Sequence, residues 1–353
     1  MVISHSSSSE AIRLAVVGAG LVGQRHAKVI SELNGAVLAA IVDTAEAGLE
    51  FAKKIGVPSY PTMEALFNSM SLDGVVICTP TTLHVEQGLA CINAGIPVLV
   101  EKPIGVTSAE SMELVRAASA TKIPLIVGHH RRHNPLIHAA KNCIDRGEIG
   151  DIRAIHSQCW FYKPDEYFEI APWRTQPGAG PISVNLVHDI DLIRYLCGDV
   201  VQVQAQRAAS IRGFNNEDVA TAILTLENGA LATITVSDSV VSPWSWEMTS
   251  QEYPIYPQTN ESCYRIGGSK GALSIPDLTV WIHEPRPDWW APILSRQIEF
   301  EPSDPLVKQM QHFCRVIQGK EEPLVSAEEG YRSLRVIEAI QDASLNGKTI
   351  TLS

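Results

Sequence analysis

The 353-residue sequence lacks several features that mark specialised classes of protein. Its seven cysteines are odd in number and lie at least thirteen positions apart, so it contains no CxxC redox motif and no closely spaced zinc ligands. No apolar run approaches the roughly eighteen residues that a membrane-spanning helix needs. Residues 1–10 carry four consecutive serines and no hydrophobic stretch, unlike a secretory signal. We therefore expect reduced thiols, a frayed tail over residues 1–10 and a cytoplasmic location.

Positive charge is also in short supply. Lys and Arg number 28 against 39 Asp and Glu, which gives a formal net charge of −11. Nucleic-acid binding depends on neutralising phosphates with cations, and electrostatic membrane anchors are polybasic, so neither kind of partner is expected. Hydrophobic residues make up 45% of the chain, which is enough to bury a sizeable core, and the length favours two domains.

The first part of the chain alternates strand-like and helix-like segments. Strands are predicted at the short apolar, β-branched runs 12–17, 36–42, 74–78, 97–100 and 124–127. Helices are predicted between them at 21–33, 45–55, 82–94 and 108–121. This alternation predicts an α/β Rossmann domain over residues 11–130, a doubly wound parallel sheet with helices on both faces.

From about residue 151 the pattern changes to strands that are joined by turns. Strands are predicted at 152–162, 200–208, 219–226, 230–237, 262–267 and 278–282. The turn Glu227–Gly229 (ENG) lies between two alternating runs and indicates antiparallel pairing. Helices are predicted at about 185–196, 305–318 and 327–346, and a surface loop at 241–260.

These patterns predict that residues 131–353 form a C-terminal α+β domain with an open, mainly antiparallel sheet. We expect this domain to serve substrate binding and oligomerisation, and its last helices can pack back on the first domain. Because helices cover only one face of such a sheet, its other face would be exposed and apolar unless another subunit packs on it, so we expect a homodimer or homotetramer.

A glycine-rich hexapeptide, Gly18–Gly23 (GAGLVG), follows the first predicted strand and opens the first helix. In a G-x-G-x-x-G loop, Gly18 permits the tight turn, Gly20 lets the backbone approach a pyrophosphate, and Gly23 lets the helix pack closely on the strand. The helix start adds free N–H groups and the positive end of its dipole. We predict that this loop, with Leu21 and Val22, binds the phosphates of a dinucleotide; the alternative is a glycine-rich turn that binds nothing.

Asp43 lies twenty positions beyond Gly23, at the end of the second predicted strand. Its carboxylate is suited to accept hydrogen bonds from the adenosine ribose hydroxyls and to repel a 2′-phosphate. No Lys or Arg stands in 44–46 to pair such a phosphate, so the sequence favours NAD over NADP. The alternative, or additional, role of Asp43 is to cap the helix that follows.

Two polar segments follow later strands of the predicted parallel sheet. The segment TPTTLH holds Thr79, Pro80 and His84, and the segment EKP holds Glu101 and Lys102. Open α/β sheets bind their ligands at the carboxyl ends of the strands. We therefore predict that these five residues contact the cofactor.

Together with the glycine-rich loop, these segments make the sequence resemble the Gfo/Idh/MocA oxidoreductases, typified by glucose–fructose oxidoreductase and inositol dehydrogenase. Two later segments share the resemblance, Arg131–Pro135 (RRHNP) and His188–Asp191 (HDID). The resemblance spans Ile12 to about Ile340, and EKP at this place is its most specific part. It implies an NAD-dependent oxidoreductase that acts on a secondary alcohol, or the matching ketone, of a sugar, polyol or cyclitol.

The resemblance also implies a catalytic pair, because the family uses the corresponding lysine and histidine for substrate binding and proton transfer. Here they are Lys102 and His188. Alcohol oxidation needs a base that reaches the hydroxyl; a partly desolvated lysine has a lowered pKa, and the pKa of histidine suits a proton relay. The alternatives are a surface ion pair of Lys102 with Glu101, and a helix histidine that a backbone carbonyl satisfies.

The sequence departs from the family where substrate contacts are expected. Family members commonly carry an aspartate four residues before the histidine, a position that Val184 holds here. Asn185 is a substitute that both donates and accepts, but it lies about 100° further around the helix. Asp191 either orients His188 or is structural.

Softer candidates are Arg132 and Trp173. Arg132 is a candidate for an anionic substrate, and Trp173 for stacking on a sugar ring, although both residue types also hold interfaces together. His129 and His130 have no further ligand at metal spacing, so no metal site is expected.

Two other functions are compatible with the sequence. One is redox-assisted, NAD-dependent glycoside cleavage, in which the cofactor is regenerated within each cycle. The other is a non-catalytic nucleotide-sensing regulatory protein, which would not need both Lys102 and His188. Net turnover of NAD separates these functions from a dehydrogenase.

Overall fold

A computed structural model describes residues 11–352, so the tail expected over residues 1–10 lies outside the described residues. Its strands are β1 (Ile12–Val17), β2 (Ala36–Val42), β3 (Ser59–Tyr60), β4 (Gly74–Ile77), β5 (Val98–Val100), β6 (Leu125–Val127), β7 (Ile152–Trp160), β8 (Val200–Ala209), β9 (Glu217–Leu226), β10 (Leu231–Ser237), β11 (Tyr264–Gly268), β12 (Gly271–Ile275), β13 (Thr279–Ile282), β14 (Leu294–Gln297) and β15 (Ile350–Thr351). Its helices are α1 (Leu21–Glu32), α2 (Glu46–Lys54), α3 (Met63–Ser69), α4 (His84–Asn93), α5 (Ser108–Thr121), α6 (Pro135–Asp145), α7 (Asp165–Glu169), α8 (Pro181–Val184), α9 (Leu186–Cys197), α10 (Trp246–Thr249), α11 (Pro305–Ile317) and α12 (Ala327–Asn346). Short 3-10 turns cover Thr81–Leu83, His130–His133 and Pro172–Thr175.

The chain divides into two compact units. The first extends to His130 and takes in Leu306–Tyr331, and the second comprises Arg131–Pro305 and resumes at Arg332. The first unit holds a six-stranded sheet in the order β3-β2-β1-β4-β5-β6, and every neighbouring pair is parallel. This is the strand order of doubly wound dinucleotide-binding folds, and it confirms the predicted α/β class.

The core of the first unit explains why its strands read as continuous apolar runs. All residues of β4 and β5 are buried, as expected for strands that are covered on both faces. Ile30 of α1 and Phe313 of α11 belong to the same buried cluster as Leu14 of β1. Helix α5 begins at a capping box in which Thr107 and Glu110 satisfy each other's backbone N–H groups.

The second unit holds a nine-stranded open sheet in the order β14-β13-β12-β11-β7-β10-β9-β8-β15. Strands β7 and β10 run parallel, and the other neighbouring pairs are antiparallel. The predicted mainly antiparallel sheet is therefore confirmed. Ile190 of α9 and Ile340 of α12 belong to the same buried cluster as Leu224 of β9. Ile223 and Leu231, which alternate with buried neighbours on β9 and β10, are about half exposed.

Segment 241–260 differs from the prediction of a surface loop. It contains the single-turn helix α10, whose first residue, Trp246, is completely buried. The Ser245 hydroxyl accepts the Met248 N–H at the start of this helix, and Trp246 Nε1 donates to Glu252 Oε2 at 3.1 Å. The aromatic-rich composition therefore reflects an anchor in the core of the second unit. No helix in the described part of the chain is both long and apolar enough to cross a membrane.

Candidate functional site

The glycine-rich loop of the first unit is compact on one side and open on the other. Gly18 has a φ of +88°, and a Cβ there would lie 2.9 Å from backbone atoms of Cys78 and Thr79. A Cβ on Gly23 would overlap the Gly18 carbonyl oxygen, so the first turn of α1 packs directly on the loop. Around Gly20, by contrast, a Cβ would meet no atom within 4 Å. The absence of a side chain at Gly20 therefore leaves open space beside the backbone, which a phosphate group needs in order to approach it.

The start of α1 faces this open space without a side-chain cap. Gly20 is the N-cap residue, and the apolar side chains that follow are exposed, Leu21 at 90% and Val22 at 48%. Uncapped N–H groups at a helix start, with the positive end of the helix dipole, form an anion-binding site. The loop and helix start therefore fit the pyrophosphate of a dinucleotide.

Asp43 is fixed beside the loop by two backbone hydrogen bonds. Its Oδ2 accepts the Ala19 N–H at 2.6 Å, and its Oδ1 accepts the Ala45 N–H at 2.7 Å. The N-cap residue of α2 is Ala45, which has no side-chain cap, so Asp43 is not that cap. Each carboxylate oxygen can accept a further hydrogen bond, and Asp43 is only partly buried, so it can also accept ribose hydroxyls.

His84 contacts the backbone of two loops, and its predicted contact with the cofactor stays a prediction. It is buried, and its ring nitrogens lie 2.8 Å from the Pro103 carbonyl oxygen and 2.9 Å from the Thr79 carbonyl oxygen. Both ring nitrogens are thus engaged with the backbone, and His84 ties the loop after β4 to the loop after β5. Thr79 is half-buried and Pro80 exposed, and the Thr79 hydroxyl donates to Gln87 Oε1 at 2.6 Å.

Glu101 is likewise buried, at 8% exposure, and holds its neighbour in place. His26 Nε2 donates to Glu101 Oε1 at 2.8 Å, and the Lys102 backbone N–H donates to Glu101 Oε2 at 3.1 Å. A Cβ on Gly128 would crowd the carboxylate at 2.9 Å, so glycine makes room for it. Burial alone would raise the pKa of Glu101, but the hydrogen bond and charge of His26, with His130 and Lys102, lower it to about 2.

Glu101 is buried, whereas the alternative to a catalytic role of Lys102 was an ion pair with Glu101 on the surface. The Glu101 carboxylate is engaged by the buried His26, while the Lys102 side chain is half-buried. Sequence reasoning missed His26, although its place three residues after Gly23 on α1 was visible.

In the second unit, the segments RRHNP and HDID pair through their charges. Arg132 Nε and Nη2 donate to the two carboxylate oxygens of Asp191, both at 2.8 Å, and Asp191 also accepts the Ser333 hydroxyl. Arg132 and Asp191 are almost completely buried. Arg132 and Asp191 therefore form a bidentate buried pair, and a contact of Arg132 with an anionic substrate stays a prediction.

A second buried pair joins the same segments. Arg131 Nη2 donates to Glu247 Oε1 at 2.8 Å, and Arg131 Nη1 lies 4.0 Å from Asp189 Oδ1. The Tyr264 hydroxyl donates to Asp189, which is fully buried. Burial raises the pKa of Asp189 to about 6, although Arg131 and the Tyr264 hydrogen bond act in the opposite direction.

His188 lies directly before Asp189 and three residues before Asp191 on α9, a helix that is buried at every position except Tyr195. Asn185 precedes it by three residues and its carbonyl accepts the His188 backbone N–H at 3.2 Å. The Asn185 side-chain oxygen accepts from Lys163 Nζ at 2.7 Å. Sequence reasoning did not single out Lys163, which lies 22 positions from Asn185 and carries no local motif.

The candidate stacking residue, Trp173, is 58% exposed on a 3-10 turn. The guanidinium of Arg174 lies 5.7 Å from its ring centroid and 4.0 Å from that of Tyr167. An exposed indole on a turn can accept a sugar ring on its free face. Among residues 11–352, no group of three or more His, Cys, Asp and Glu side chains is arranged to hold a metal ion.

Two family models match the chain. The model described as "Oxidoreductase family, NAD-binding Rossmann fold" matches residues 12–129, and the GFO/IDH/MocA C-terminal domain matches residues 137–274.

Individual relatives are similar over nearly the whole chain. A myo-inositol 2-dehydrogenase of Thermotoga maritima is 26% identical over 336 residues, which cover 92% of this chain and 93% of that protein. A D-apiose dehydrogenase of Paraburkholderia graminis is 24% identical over 351 residues, covering 96% and 89%. The crystal structure of the WlbA dehydrogenase from Bordetella pertussis, in complex with NADH and UDP-GlcNAcA, is 26% identical, with a TM-score of 0.78 and coverage of 97% and 99%.

Proposed function

This chain belongs to the GFO/IDH/MocA family of NAD-binding oxidoreductases, and from that premise we propose that it is a dehydrogenase of a sugar, polyol or cyclitol. The reaction interconverts a secondary alcohol and its ketone, with NAD as the hydride acceptor or donor. Relatives named for inositol and apiose support this substrate class. The first unit serves as the NAD-binding domain and the second as the substrate domain.

In this proposal the glycine-rich loop and Asp43 bind the cofactor. The N–H groups at the start of α1 hold the pyrophosphate beside Gly20, where the structure leaves space. The Asp43 carboxylate accepts the adenosine ribose hydroxyls and disfavours a 2′-phosphate, which selects NAD. Leu21 and Val22 cover the bound nucleotide with their exposed side chains, and Thr79 and Pro80 border it from the loop after β4.

Lys102 is the proposed general base and acid for the substrate hydroxyl. Its backbone is anchored by Glu101, which His26 in turn fixes, so the position of Lys102 is set by a buried pair. A positioned acid–base group in such a reaction accelerates it by about a hundredfold to ten-thousandfold. Glu101 and His84 support the cofactor site through Lys102 and the loop backbones.

His188 is the proposed second proton-transfer residue, and Asn185 and Trp173 the proposed substrate contacts. The pairs Arg131–Asp189 and Arg132–Asp191 hold α9 one and three residues after His188 and so restrict the position of its backbone. We propose that the partly apolar open face of the second unit's sheet pairs with a second copy, giving a homodimer or homotetramer. The seven free cysteines, six of them buried, accord with a reducing cytoplasm.

One observation supports this function most strongly. The open loop at Gly20, the anchored Asp43 and the anchored Lys102 all belong to the same unit. The experiment is a panel of polyols, sugars and cyclitols, in which NADH formation is followed for wild type and Lys102→Met. We expect net NAD reduction with at least one substrate and a loss of about a hundredfold or more in kcat for Lys102→Met, while the variant still binds NAD. An undiminished rate in this variant would refute the mechanism, and substrate turnover without net NAD reduction would instead support redox-assisted glycoside cleavage.

A further inference from the structure

The hydrogen bond between Lys163 and Asn185 fixes which end of an amide faces the substrate. A lysine ammonium has three donors and no acceptor, so the Asn185 side chain presents its oxygen to Lys163 Nζ, at 2.7 Å. The amide nitrogen, which only donates, is thereby turned away from Lys163. Among residues 11–352 no side chain or backbone oxygen accepts a hydrogen bond from it.

Lys163 is itself rigidly placed. Its side chain is 6% exposed, its backbone N–H donates to the Asp238 carbonyl at 2.9 Å, and its own carbonyl accepts from Arg212 Nη2 at 2.8 Å. Its Nζ lies 3.7 Å from Asp238 Oδ2 and 5.0 Å from the Tyr167 ring centroid. These contacts hold the ammonium against Asn185.

The cations beside this pair are matched by carboxylates. The Asp238 carboxylate is shared between Lys163 and Arg212, whose Nη1 donates to Asp238 Oδ1 at 3.1 Å, and Arg212 Nε lies 3.6 Å from Asp165 Oδ1. Val184 stands where an aspartate would have added a further anion. A cation bound to the amide oxygen also strengthens the amide N–H groups as donors, because hydrogen bonds in a chain polarise one another.

The Asn185 amide lies on the substrate-facing side of the proposed site. Residues i and i+3 of a helix share a face, so Asn185, the N-cap residue of α9, lies beside His188 at about 60° of rotation. Asn185 is only partly buried.

We propose that Lys163 and Asn185 form an anion-selective subsite, and that the substrate is a sugar- or polyol-derived hydroxy acid whose carboxylate accepts the Asn185 N–H group. This inference rests on the proposed function and names its substrate class. An aspartate in this region would accept hydrogen bonds from neutral hydroxyls; the donor-only amide backed by a cation instead favours a negatively charged oxygen. Asn185 contacts the substrate, and Lys163 is a positioning residue.

The test is binding selectivity, measured by titration calorimetry on the full chain saturated with NAD. The probes are matched acid and neutral pairs: gluconate with glucitol, glucuronate with glucose, and galacturonate with galactose. We expect at least one acid to bind about tenfold to a hundredfold more tightly than its neutral partner, as a hydrogen bond to a charged group provides. Equal or weaker binding of every acid, including no binding at all, would overturn the inference.

Variants assign the selectivity to this pair. Lys163→Met keeps the apolar stem and is expected to reduce the acid-to-neutral ratio about tenfold or more, while Lys163→Arg retains a large part of it. Asn185→Asp is expected to reverse the preference toward the neutral partner. The matched control is Lys270→Met, an exposed lysine on the β11–β12 turn with the same charge change. An unchanged ratio in both Lys163→Met and Asn185→Asp would contradict the proposal even where acids are preferred.

The selectivity readout is separate from the proposed function. Loss of NAD reduction across the substrate panel, with acid-selective binding intact, would refute the dehydrogenase and leave the subsite standing. Efficient oxidation of neutral polyols without a preference for acids would refute the anion-selective subsite and support the dehydrogenase.

Discussion

Replacing Glu101 with glutamine tests the buried pair that anchors Lys102. The pKa of Glu101 is lowered from 4.5 to about 2, which corresponds to about 3 kcal/mol in favour of the ionised carboxylate in the folded protein. Because the folded value lies below the unfolded one, this contribution is present above about pH 4.5 and is lost as the pH falls toward 2. Glutamine cannot ionise, so the variant lacks the contribution at neutral pH.

We therefore expect Glu101→Gln to lower the free energy of unfolding by about 3 kcal/mol at pH 7, with a difference that narrows below about pH 4.5. The assay is urea unfolding followed by far-ultraviolet circular dichroism, because all seven tryptophans lie in the second unit and their fluorescence does not report on the first. Hydrogen exchange of the β4 and β5 amides assigns the change to the sheet around Glu101.

The matched control is Glu113→Gln, an exposed glutamate on α5, for which we expect a change within about 0.5 kcal/mol. The same preparation of Glu101→Gln is expected to show a lower kcat with NAD affinity retained, because the backbone of Lys102 loses a charged acceptor. A Glu101→Gln protein as stable as wild type at pH 7, or a deficit that does not change with pH, would refute the reasoning.

Three further predictions follow from the charged groups of both units. Arg132→Met leaves the Asp191 carboxylate buried without its partner, so we expect the free energy of unfolding to fall by about 3–5 kcal/mol. Urea unfolding followed by tryptophan fluorescence measures this loss, and the double variant Arg132→Met/Asp191→Leu is expected to recover most of it. A loss below about 1 kcal/mol in Arg132→Met would contradict the prediction. Asp43→Asn removes the charge that opposes a 2′-phosphate, so the NADPH-to-NADH affinity ratio in fluorescence titrations is expected to rise about tenfold or more, and an unchanged ratio would count against Asp43 as the selector. The pKa of Asp189 is raised from 3.8 to about 6, so the free energy of unfolding of the wild type is expected to fall by about 3 kcal/mol as the pH rises from about 4 to 6. Asp189→Asn should abolish this fall. A fall that persists in the variant would show that another group causes it.

Much of the fold could be predicted because its signals are local. The apolar runs at 12–17 and 36–42 became β1 and β2 with those bounds, and helices α5 and α12 have the predicted bounds as well. The elements that were not predicted include β3 and β15, which have two residues each and are too short for any alternation to appear. Segment 241–260 was misread because composition does not show whether an aromatic residue such as Trp246 is buried.

In the candidate site, too, contiguous motifs could be predicted from the sequence and contacts between distant residues could not. The glycine-rich loop is a contiguous motif, and the spacing of its glycines predicts its backbone geometry. The space beside Gly20 could therefore be predicted. The partner of Glu101, His26, lies 75 positions away, and only the folded sheet brings the two together. For Arg132 and His84 the residue type was right for a site, but their partners, a buried carboxylate and two backbone carbonyls, were not visible in the sequence.

The most direct test of the account is a crystal structure of the protein with NAD. We predict that the adenosine ribose hydroxyls lie within hydrogen-bond distance of the Asp43 carboxylate, and that the pyrophosphate lies against the N–H groups that follow Gly20. Electron density for NAD at any other place, with the space beside Gly20 filled by solvent, would contradict it.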